Sequence, residues 1–185
     1  MRMNQPRVAP LTDDAAEGAA AELLHRGKDS NGYALNIFRT LANHPDLARR
    51  WMVFANHILG KSTLPARERE IAILRIGWLC RSGYEWGQHV LFARREGITD
   101  DEIRLVQSGP EAAGWSDADR AILRATDDLH RDAHISDPVW AALCKHLSEQ
   151  QRMDLVFTVG QYNMVSMALN SFGVQPDPDL PTFEI

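Results

Sequence analysis

The sequence predicts an all-α protein built around a central helix–turn–helix. Residues 70–79 are so apolar on every side that, as a helix, they belong in a core. Several segments begin with Ser or Thr followed three residues later by Glu or Gln, a pattern that marks helix starts. No segment alternates apolar and polar residues as a half-buried strand does, and no hairpin dipeptide is present.

The N-terminal third is predicted to form an extended arm followed by three helices. Residues 1–11 carry two prolines and form the arm. Thr12 is placed to cap a helix over residues 13–26, and a loop follows over residues 28–32. A short helix is expected over residues 34–42, and a longer one from Pro45 to Gly60. The longer helix is predicted to bury one apolar face, made of Leu47, Trp51, Phe54, Ala55, Ile58 and Leu59.

The central pair of helices follows. Ser82 and Gly83 interrupt the apolar helix, and Ser82 with Glu85 has the form of a capping box that opens the second helix. Gly97 fits the position just past the end of that helix, where a left-handed residue is preferred. The sequence therefore predicts two helices joined by a tight turn.

Four more helices are predicted from their first residues, and a second arm ends the chain. The predicted starts are Thr99, Ser116, Ser136 or Asp137, and Ser148. The last of these helices is long and is expected to end near Gly173. Residues 174–185 contain three prolines and cannot continue a helix, so they form the C-terminal arm.

Composition and charge narrow the class of protein. The 185 residues fit a single domain, 1–185, with its core over residues 41–109. The net charge of −5 predicts no nucleic-acid partner. No apolar run reaches the length of a membrane span and no secretion signal is present, so a cytoplasmic protein is expected. Cys80 and Cys144 are too few for a disulfide framework or a cysteine metal site, and both are expected to be reduced core residues.

Three ionisable residues of the central pair are candidates for a site. Glu85 and His89 are four residues apart and share one helix face. Glu70 lies one helix earlier, and the turn can fold the two helices onto each other. Two carboxylates and an imidazole in an apolar core have shifted pKa values, which is typical of functional sites.

Structural roles for the same residues stay open. Glu85 lies at the position of a capping residue, and His89 can be a hydrogen-bonded core histidine. Glu70 can instead pair with Arg67, Arg69 or Arg75, or cap its own helix.

The chain resembles the superfamily of carboxymuconolactone decarboxylases and alkylhydroperoxidase D-like proteins. Glu70, the apolar helix, His89 and the Gly97-Ile98-Thr99 that follows carry the resemblance. In the peroxidase branch a Cys-x-x-Cys pair lies between the Glu and the His. Those two positions hold Ser82 and Glu85 here, so the resemblance is to a branch that lacks the cysteine pair.

The resemblance implies a cofactor-free and metal-free enzyme that decarboxylates or isomerises a small carboxylated lactone or ring-cleavage compound, as in the catabolism of aromatic compounds. His89 would shuttle the proton, and Glu70 would orient the imidazole of His89 and keep it charged. Glu85 would be a second acid or base. The predicted substrate-binding residues are Arg75 for a carboxylate and, with it, Tyr84, Trp86 and Tyr162. The alternatives are peroxidase activity, which the missing cysteines disfavour, and a non-catalytic helical oligomer.

A homo-oligomer, a trimer or a hexamer, is also expected. The superfamily typically assembles in this way, and five tryptophans with an apolar helix pair exceed what one small bundle covers. The terminal arms are predicted to lie across neighbouring subunits, with the pocket near a subunit boundary.

Overall fold

A computed structural model describes residues 3–28 and 31–183. Within these ranges the chain forms α-helices, one short 3-10 turn and no β-strand, so the predicted all-α class is confirmed. The helices are α1 Gly18–Arg26, α2 Asn36–Leu41, α3 Pro45–Gly60, α4 Ala66–Leu79, α5 Gly83–Arg95, α6 Asp100–Ser108, α7 Asp117–Asp132, α8 Asp137–Leu143 and α9 Glu149–Phe172. Residues 1–2, 29–30 and 184–185, which belong to the predicted arms and the predicted loop, lie outside the described residues.

Helix α4 is the centre of the fold. It packs against α5, α6, α7 and α9, so neighbours surround it on every side. Every residue from Glu70 to Gly77 is buried, as the apolar run predicts. Burial of a side chain such as Ile73 or Leu74 stabilises the fold by roughly 1.5–3 kcal/mol. None of the helices described is long and apolar enough to cross a membrane.

The turn between α4 and α5 differs from the prediction in two details. Its left-handed residue is Arg81, at φ 53°, and the N–H of Ser82 donates to the carbonyl oxygen of Gly77 at 2.9 Å. The predicted capping box is wrong, because the Ser82 hydroxyl has no hydrogen-bond partner and Glu85 points into the protein. The spacing of Ser82 and Glu85 satisfies the pattern, but the carboxylate of Glu85 lies beside His89 instead.

The other helix signals are largely confirmed. Thr99 and Ser148 each form a capping box, and the Ser116 side chain accepts from the backbone N–H of Asp119. Gly173, at φ 69°, ends α9 in the left-handed conformation, which glycine adopts without strain.

The predicted first helix is broken. A 3-10 turn spans Asp13–Ala15, and α1 begins only at Gly18, which turns the chain at φ 52°. Thr12 makes no capping hydrogen bond. The helix predicted over residues 13–26 is therefore wrong in its first third.

The predicted buried face of α3 is also partly wrong. Leu47 is 50% exposed, Phe54 36% and Leu59 39%, whereas Ile58 is buried as predicted and Ala48 is buried with it. Together with exposed side chains of α9 they form an apolar surface, here named the α3–α9 face: Leu47, Val53, Phe54, Leu59, Met153, Phe157, Met164 and Met167. Cys144, predicted to be in the core, is exposed.

The described parts of both arms pack on their own chain. In the N-terminal arm the N–H of Arg7 donates to the carbonyl oxygen of Phe172 at 2.8 Å. In the C-terminal arm, the indole N–H of Trp86 donates to the carbonyl oxygen of Thr182 at 3.0 Å, and Phe183 packs edge-on against Trp78. These contacts hold the described parts of the arms on their own chain, and their contact with a neighbouring subunit stays a prediction.

Helix α5 has no space for a side chain at Gly87, where the C-terminal arm crosses it. A Cβ atom added at Gly87 would lie 2.7 Å from the carbonyl oxygen of Pro181 and 3.1 Å from the Cβ of Leu180. The arm is therefore in direct contact with the helix that carries Glu85 and His89.

Candidate active site

Glu70 and His89 form a buried pair between α4 and α5. The Nδ1 atom of His89 lies 2.6 Å from Oε2 of Glu70, and the two residues are 4% and 1% exposed. Glu70 is in the second turn of α4 and His89 is midway along α5, so the tight turn between the helices brings them together. When Glu70 is ionised, Nδ1 of His89 carries the proton and donates a hydrogen bond to the carboxylate. The Nε2 atom then faces the other way.

Glu85 lies on the other side of the imidazole. Its Oε2 atom is 3.4 Å from Nε2 of His89, one turn along α5, and the residue is 5% exposed. The three side chains thus form a row, carboxylate, imidazole and carboxylate, as their spacing in the sequence predicts. Among the residues described, no set of three or more His, Cys, Asp or Glu side chains is arranged to hold a metal ion.

Burial and charge shift the acid–base properties of this row. Burial raises the pKa of Glu85 from 4.5 to about 7, where the opposing effect of His89 and the repulsion from Glu70 are smaller causes. Burial lowers the pKa of His89, but the charge and hydrogen bond of Glu70 outweigh it and leave that pKa above its ordinary value. A carboxyl group that titrates near neutral pH beside an imidazolium is suited to proton transfer.

A mostly apolar pocket of about 210 Å³ adjoins the row. Glu85 and His89 line it, with neighbours from α2, α3, α5 and α9: Trp51, Tyr84, Gln88, Phe92, Gln161 and Tyr162. The ring of Tyr162 stands edge-on to His89, with the ring centroids 4.7 Å apart. Burial, with the nearby Glu85 and Glu70 charges, raises the pKa of Tyr162 well above 10, so its hydroxyl stays protonated.

Two residues predicted to bind substrate lie elsewhere. The Arg75 guanidinium donates to both carboxylate oxygens of Asp127, at 2.6 and 2.9 Å, and to the carbonyl oxygen of Val106. It does not line the pocket, so its predicted contact with a substrate carboxylate is wrong. Trp86 is fully buried between Trp78 and Phe183, and its predicted place in the pocket wall is wrong too.

Tyr84 and Tyr162 do line the pocket, and Tyr84 is held by a residue that the sequence analysis missed. The Asp177 carboxylate accepts from the Tyr84 hydroxyl at 2.5 Å, from Nε2 of Gln88 at 2.8 Å and from the backbone N–H of Asn36 at 2.7 Å. Asp177 thereby ties the C-terminal arm to α5 and to the start of α2. Its place in a proline-rich tail without periodicity gave no signal for this role.

Other pocket residues could be found only in part from the sequence. Gln88 is three residues past Glu85 on α5, a helical spacing that places both on the same side. Gln161 and Tyr162, neighbours on α9, both line the pocket, whereas the next residue, Asn163, does not. Trp51 was assigned to the core face of α3 and instead forms part of the pocket wall.

The positions of the peroxidase cysteines hold no thiol. Ser82 and Glu85 occupy them, and Cys80 is buried on the side of the turn away from the pocket. The Cys80 thiol lies 3.0 Å from Oδ1 of Asn163, on α9. A thiol pair at the helix N-terminus is therefore not available for disulfide chemistry.

Sequence comparison gives one family match. Residues 45–128 match the Carboxymuconolactone decarboxylase family. These residues include α3 to α6 and most of α7, with all three residues of the row. A search of curated protein sequences gives no match.

The fold is shared with solved structures of low sequence identity. An alkylhydroperoxidase AhpD core, an uncharacterized peroxidase-related protein from Ralstonia eutropha JMP134, aligns with a TM-score of 0.82 at 18% identity over 94% of this chain and 93% of that one. For an uncharacterized peroxidase-related protein from Silicibacter sp. TM1040 the TM-score is 0.77 at 16% identity, with coverages of 99% and 95%. The debrominase Bmp8, as a Cys-to-Ala variant in complex with 2,3,4-tribromopyrrole, aligns with a TM-score of 0.75 at 18% identity, with coverages of 92% and 91%.

The family match and the shared fold agree with the resemblance predicted from Glu70, His89 and the apolar helix between them. The likeness to the solved structures establishes the fold and leaves the reaction open. Residues 45–128 match the carboxymuconolactone decarboxylase family, and the chain as a whole has the fold of the AhpD-like proteins.

Proposed function

We propose that this protein is a cofactor-free acid–base enzyme that moves a proton on a small, uncharged and largely apolar carbonyl compound, such as an unsaturated lactone or a cyclic enone. One observation carries the proposal. A row of Glu70, His89 and Glu85 is buried, contains a carboxyl group with a pKa of about 7, and opens onto an apolar pocket.

Each residue of the row has a role that follows from its position. Glu70 accepts from Nδ1 of His89 and keeps the imidazole charged and oriented. Ionised Glu85 faces the pocket and is the base that removes a proton from carbon. The imidazolium of His89 replaces that proton at another carbon, because its Nε2 atom is turned toward Glu85 and the pocket.

The reaction is balanced without a co-reactant. Glu85 takes a proton from the carbon between the carbonyl group and the isolated double bond of a β,γ-unsaturated substrate. The electron pair of that C–H bond forms a dienolate, and a proton returned at the γ-carbon shifts the double bond into conjugation. After the reaction Glu85 holds the proton taken from the substrate and His89 lacks the one it gave. Transfer of the proton from Glu85 to Nε2 of His89, across 3.4 Å, restores both groups.

The pocket favours an uncharged substrate over the carboxylated lactone first expected. No Lys or Arg is among the residues that line it. Arg75 is paired with Asp127, and Arg69 lies 3.5 Å from Glu70, which is itself buried. A substrate carboxylate would lose hydration in an apolar cavity beside Glu85 without gaining a cationic partner of its own. Isomerisation is therefore preferred to decarboxylation, which would use the same row.

The pocket also argues against the two alternatives. A non-catalytic oligomer has no need for a carboxyl group that titrates near neutral pH beside a cavity. Peroxidase chemistry by a cysteine pair lacks its thiols at residues 82 and 85. Dithiol-dependent turnover of an alkyl hydroperoxide that disappears in Cys80→Ser would show that this exclusion is wrong.

The test is a panel of β,γ-unsaturated γ-lactones and cyclohex-3-enone, each with a carboxylated analogue. Conjugation is followed by ultraviolet absorbance, deuterium uptake from D2O by NMR, and CO2 release by the carboxylated members. We expect isomerisation with deuterium at the γ-carbon, reduced at least a hundredfold in Glu85→Gln and in His89→Gln. The matched control is Glu96→Gln, an exposed carboxylate at the end of the same helix.

The proposal is overturned if Glu85→Gln and His89→Gln isomerise the substrates at the wild-type rate. It is also overturned if the wild-type protein converts none of the test compounds. Release of CO2 without isomerisation of the uncharged members would identify the decarboxylase instead.

A further inference from the structure

A second cavity of about 230 Å³ lies between α2, α3 and α9. Its lining is apolar except for Thr40, whose hydroxyl already donates to the carbonyl oxygen of Asn36 at 2.8 Å. Leu41, Leu47, Ala168 and Leu169 form much of the wall. A cavity of this composition binds hydrocarbon and has no charged group that would hold an ion.

The second cavity shares a wall with the reaction pocket. Ile37, Trp51 and Val165 line both. They come from α2, α3 and α9, so all three helices contribute to the boundary between the two spaces.

Trp51 is the largest side chain in this boundary and is not tied by its polar atom. Its indole N–H is buried without a hydrogen-bond partner, as is Oε1 of Gln161 in the reaction pocket. Unpaired buried polar atoms are costly. A ligand carbonyl group would accept from the indole N–H of Trp51, whereas Oε1 of Gln161 needs a donor such as a hydroxyl group. The indole ring therefore lies at the boundary of the two cavities without a hydrogen bond to fix its orientation.

We propose that the two cavities bind one ligand, a carbonyl compound that carries an unbranched apolar arm of several carbons. The carbonyl end lies beside His89 and Glu85, and the arm passes Trp51 into the second cavity. The identity of the reacting end rests on the proposed function, whereas the site for the arm rests on the shared wall and the apolar lining. This makes Trp51 a residue that sets substrate length.

The expected signature is a dependence of affinity on chain length. Each methylene group transferred from water into an apolar site strengthens binding about fourfold. The gain should continue while the arm enters the second cavity and stop once the cavity is filled. A ligand confined to the reaction pocket would show no such series.

The experiment uses alkan-2-ones from butan-2-one to decan-2-one as probes, with binding measured by calorimetry on the full-length protein. Two alanines make a matched pair of variants, since Ala168 lines only the second cavity and Ala55 only the reaction pocket. Ala168→Phe should hold the affinity of the longer ketones near that of butan-2-one. Ala55→Phe should weaken every member of the series together. Leu47→Trp, at a half-exposed position of the second cavity, repeats the first variant if Ala168→Phe fails to fold.

Affinities that do not change with the chain length of the ketone would overturn the proposal. The same holds if Ala168→Phe and Leu47→Trp both show the wild-type dependence of affinity on chain length. A second copy of the chain fills the cavity instead if two results coincide. The affinity does not change with the chain length of the ketone, and Leu47→Glu dissociates an oligomer. The proposed function is tested separately by exchange of the ketone α-protons with D2O. A chain-length series without exchange contradicts the proposed function alone, and exchange with a flat series contradicts the site for the arm alone.

Discussion

The carboxylate of Asp177 accepts a hydrogen bond from the hydroxyl of Tyr84 at 2.5 Å, so a residue of the C-terminal arm fixes a side chain of the reaction pocket. The same carboxylate accepts from Gln88 and from the first N–H of α2. Burial, followed by the charge and hydrogen bond of Asp177, raises the pKa of Tyr84 far above its ordinary value, so the phenol remains a donor at any physiological pH.

Asp177→Asn should therefore destabilise the fold. An amide presents one oxygen where the carboxylate presents two, and three donors compete for it. The free energy of unfolding should fall by about 1–3 kcal/mol, measured by urea denaturation. Asp179→Asn is the matched control, because Asp179 is exposed and its left-handed backbone suits Asn. Equal stability of the two variants would show that Asp177 does not anchor the arm.

Glu85 should make the protein less stable as the pH rises. In the unfolded chain the carboxyl ionises near pH 4.5, but in the folded protein it keeps its proton up to about pH 7. The stability from this raised pKa is fully present below pH 4.5 and is lost as the pH rises through the folded value of about 7. As the pH rises through that window, the unfolding free energy of Glu85→Gln should increase by about 1–3 kcal/mol relative to that of wild type.

Urea denaturation at pH 5 and pH 8 measures this difference, with Glu96→Gln as the exposed control. A difference between Glu85→Gln and wild type that is the same at both pH values would mean that Glu85 titrates normally.

Glu70 should be the cause of the raised pKa of His89. Replacing Glu70 by Gln keeps a hydrogen-bond acceptor for Nδ1 but removes the negative charge. The pKa of His89 should then fall below its ordinary value, because burial, the largest opposing effect, is no longer outweighed. NMR titration of the imidazole signals in wild type and Glu70→Gln follows the change. An unaltered His89 titration would contradict the assignment of Glu70 as the charging partner.

The α3–α9 face should be an interface between copies of the chain. Its apolar side chains are exposed in the single chain, and Phe54 and Phe157 already contact each other with ring centroids 6.0 Å apart. Light scattering should give a mass of three or six times 20.8 kDa, and Phe157→Glu should lower it. Lys145→Glu, at an exposed polar position, should not. A wild-type mass of 20.8 kDa would refute the prediction, whereas a dimer would refute only the symmetry.

The sequence could predict the central row because its determinants are local. The apolar run marks α4 as buried, and the four-residue spacing of Glu85 and His89 holds on any α-helix. The same spacing could not decide whether Glu85 caps its helix, since both roles require a carboxylate at that position. The carboxylate turns to His89, and only the relative placement of α4 and α5 shows this.

Side chains whose partners are distant in the chain could not be placed in this way. Because neighbours surround α4 on every side, its sequence does not show which side a given residue faces, and Arg75 reaches Asp127 on α7. Trp86 lies on the core side of α5, where Trp78 on α4 and the C-terminal arm together bury it. The exposed residues of α3 follow the same amphipathic pattern as a buried face, because the pattern does not distinguish a core from an uncovered apolar surface.

The close contact at Gly87 links the evolution of two parts of the chain. No residue larger than glycine fits at position 87 of α5 while Leu180 and Pro181 lie across the helix. A relative that has lost the arm is free to carry a side chain at this position. Conversely, a lineage that keeps the arm must keep the glycine, so the two features should be inherited together.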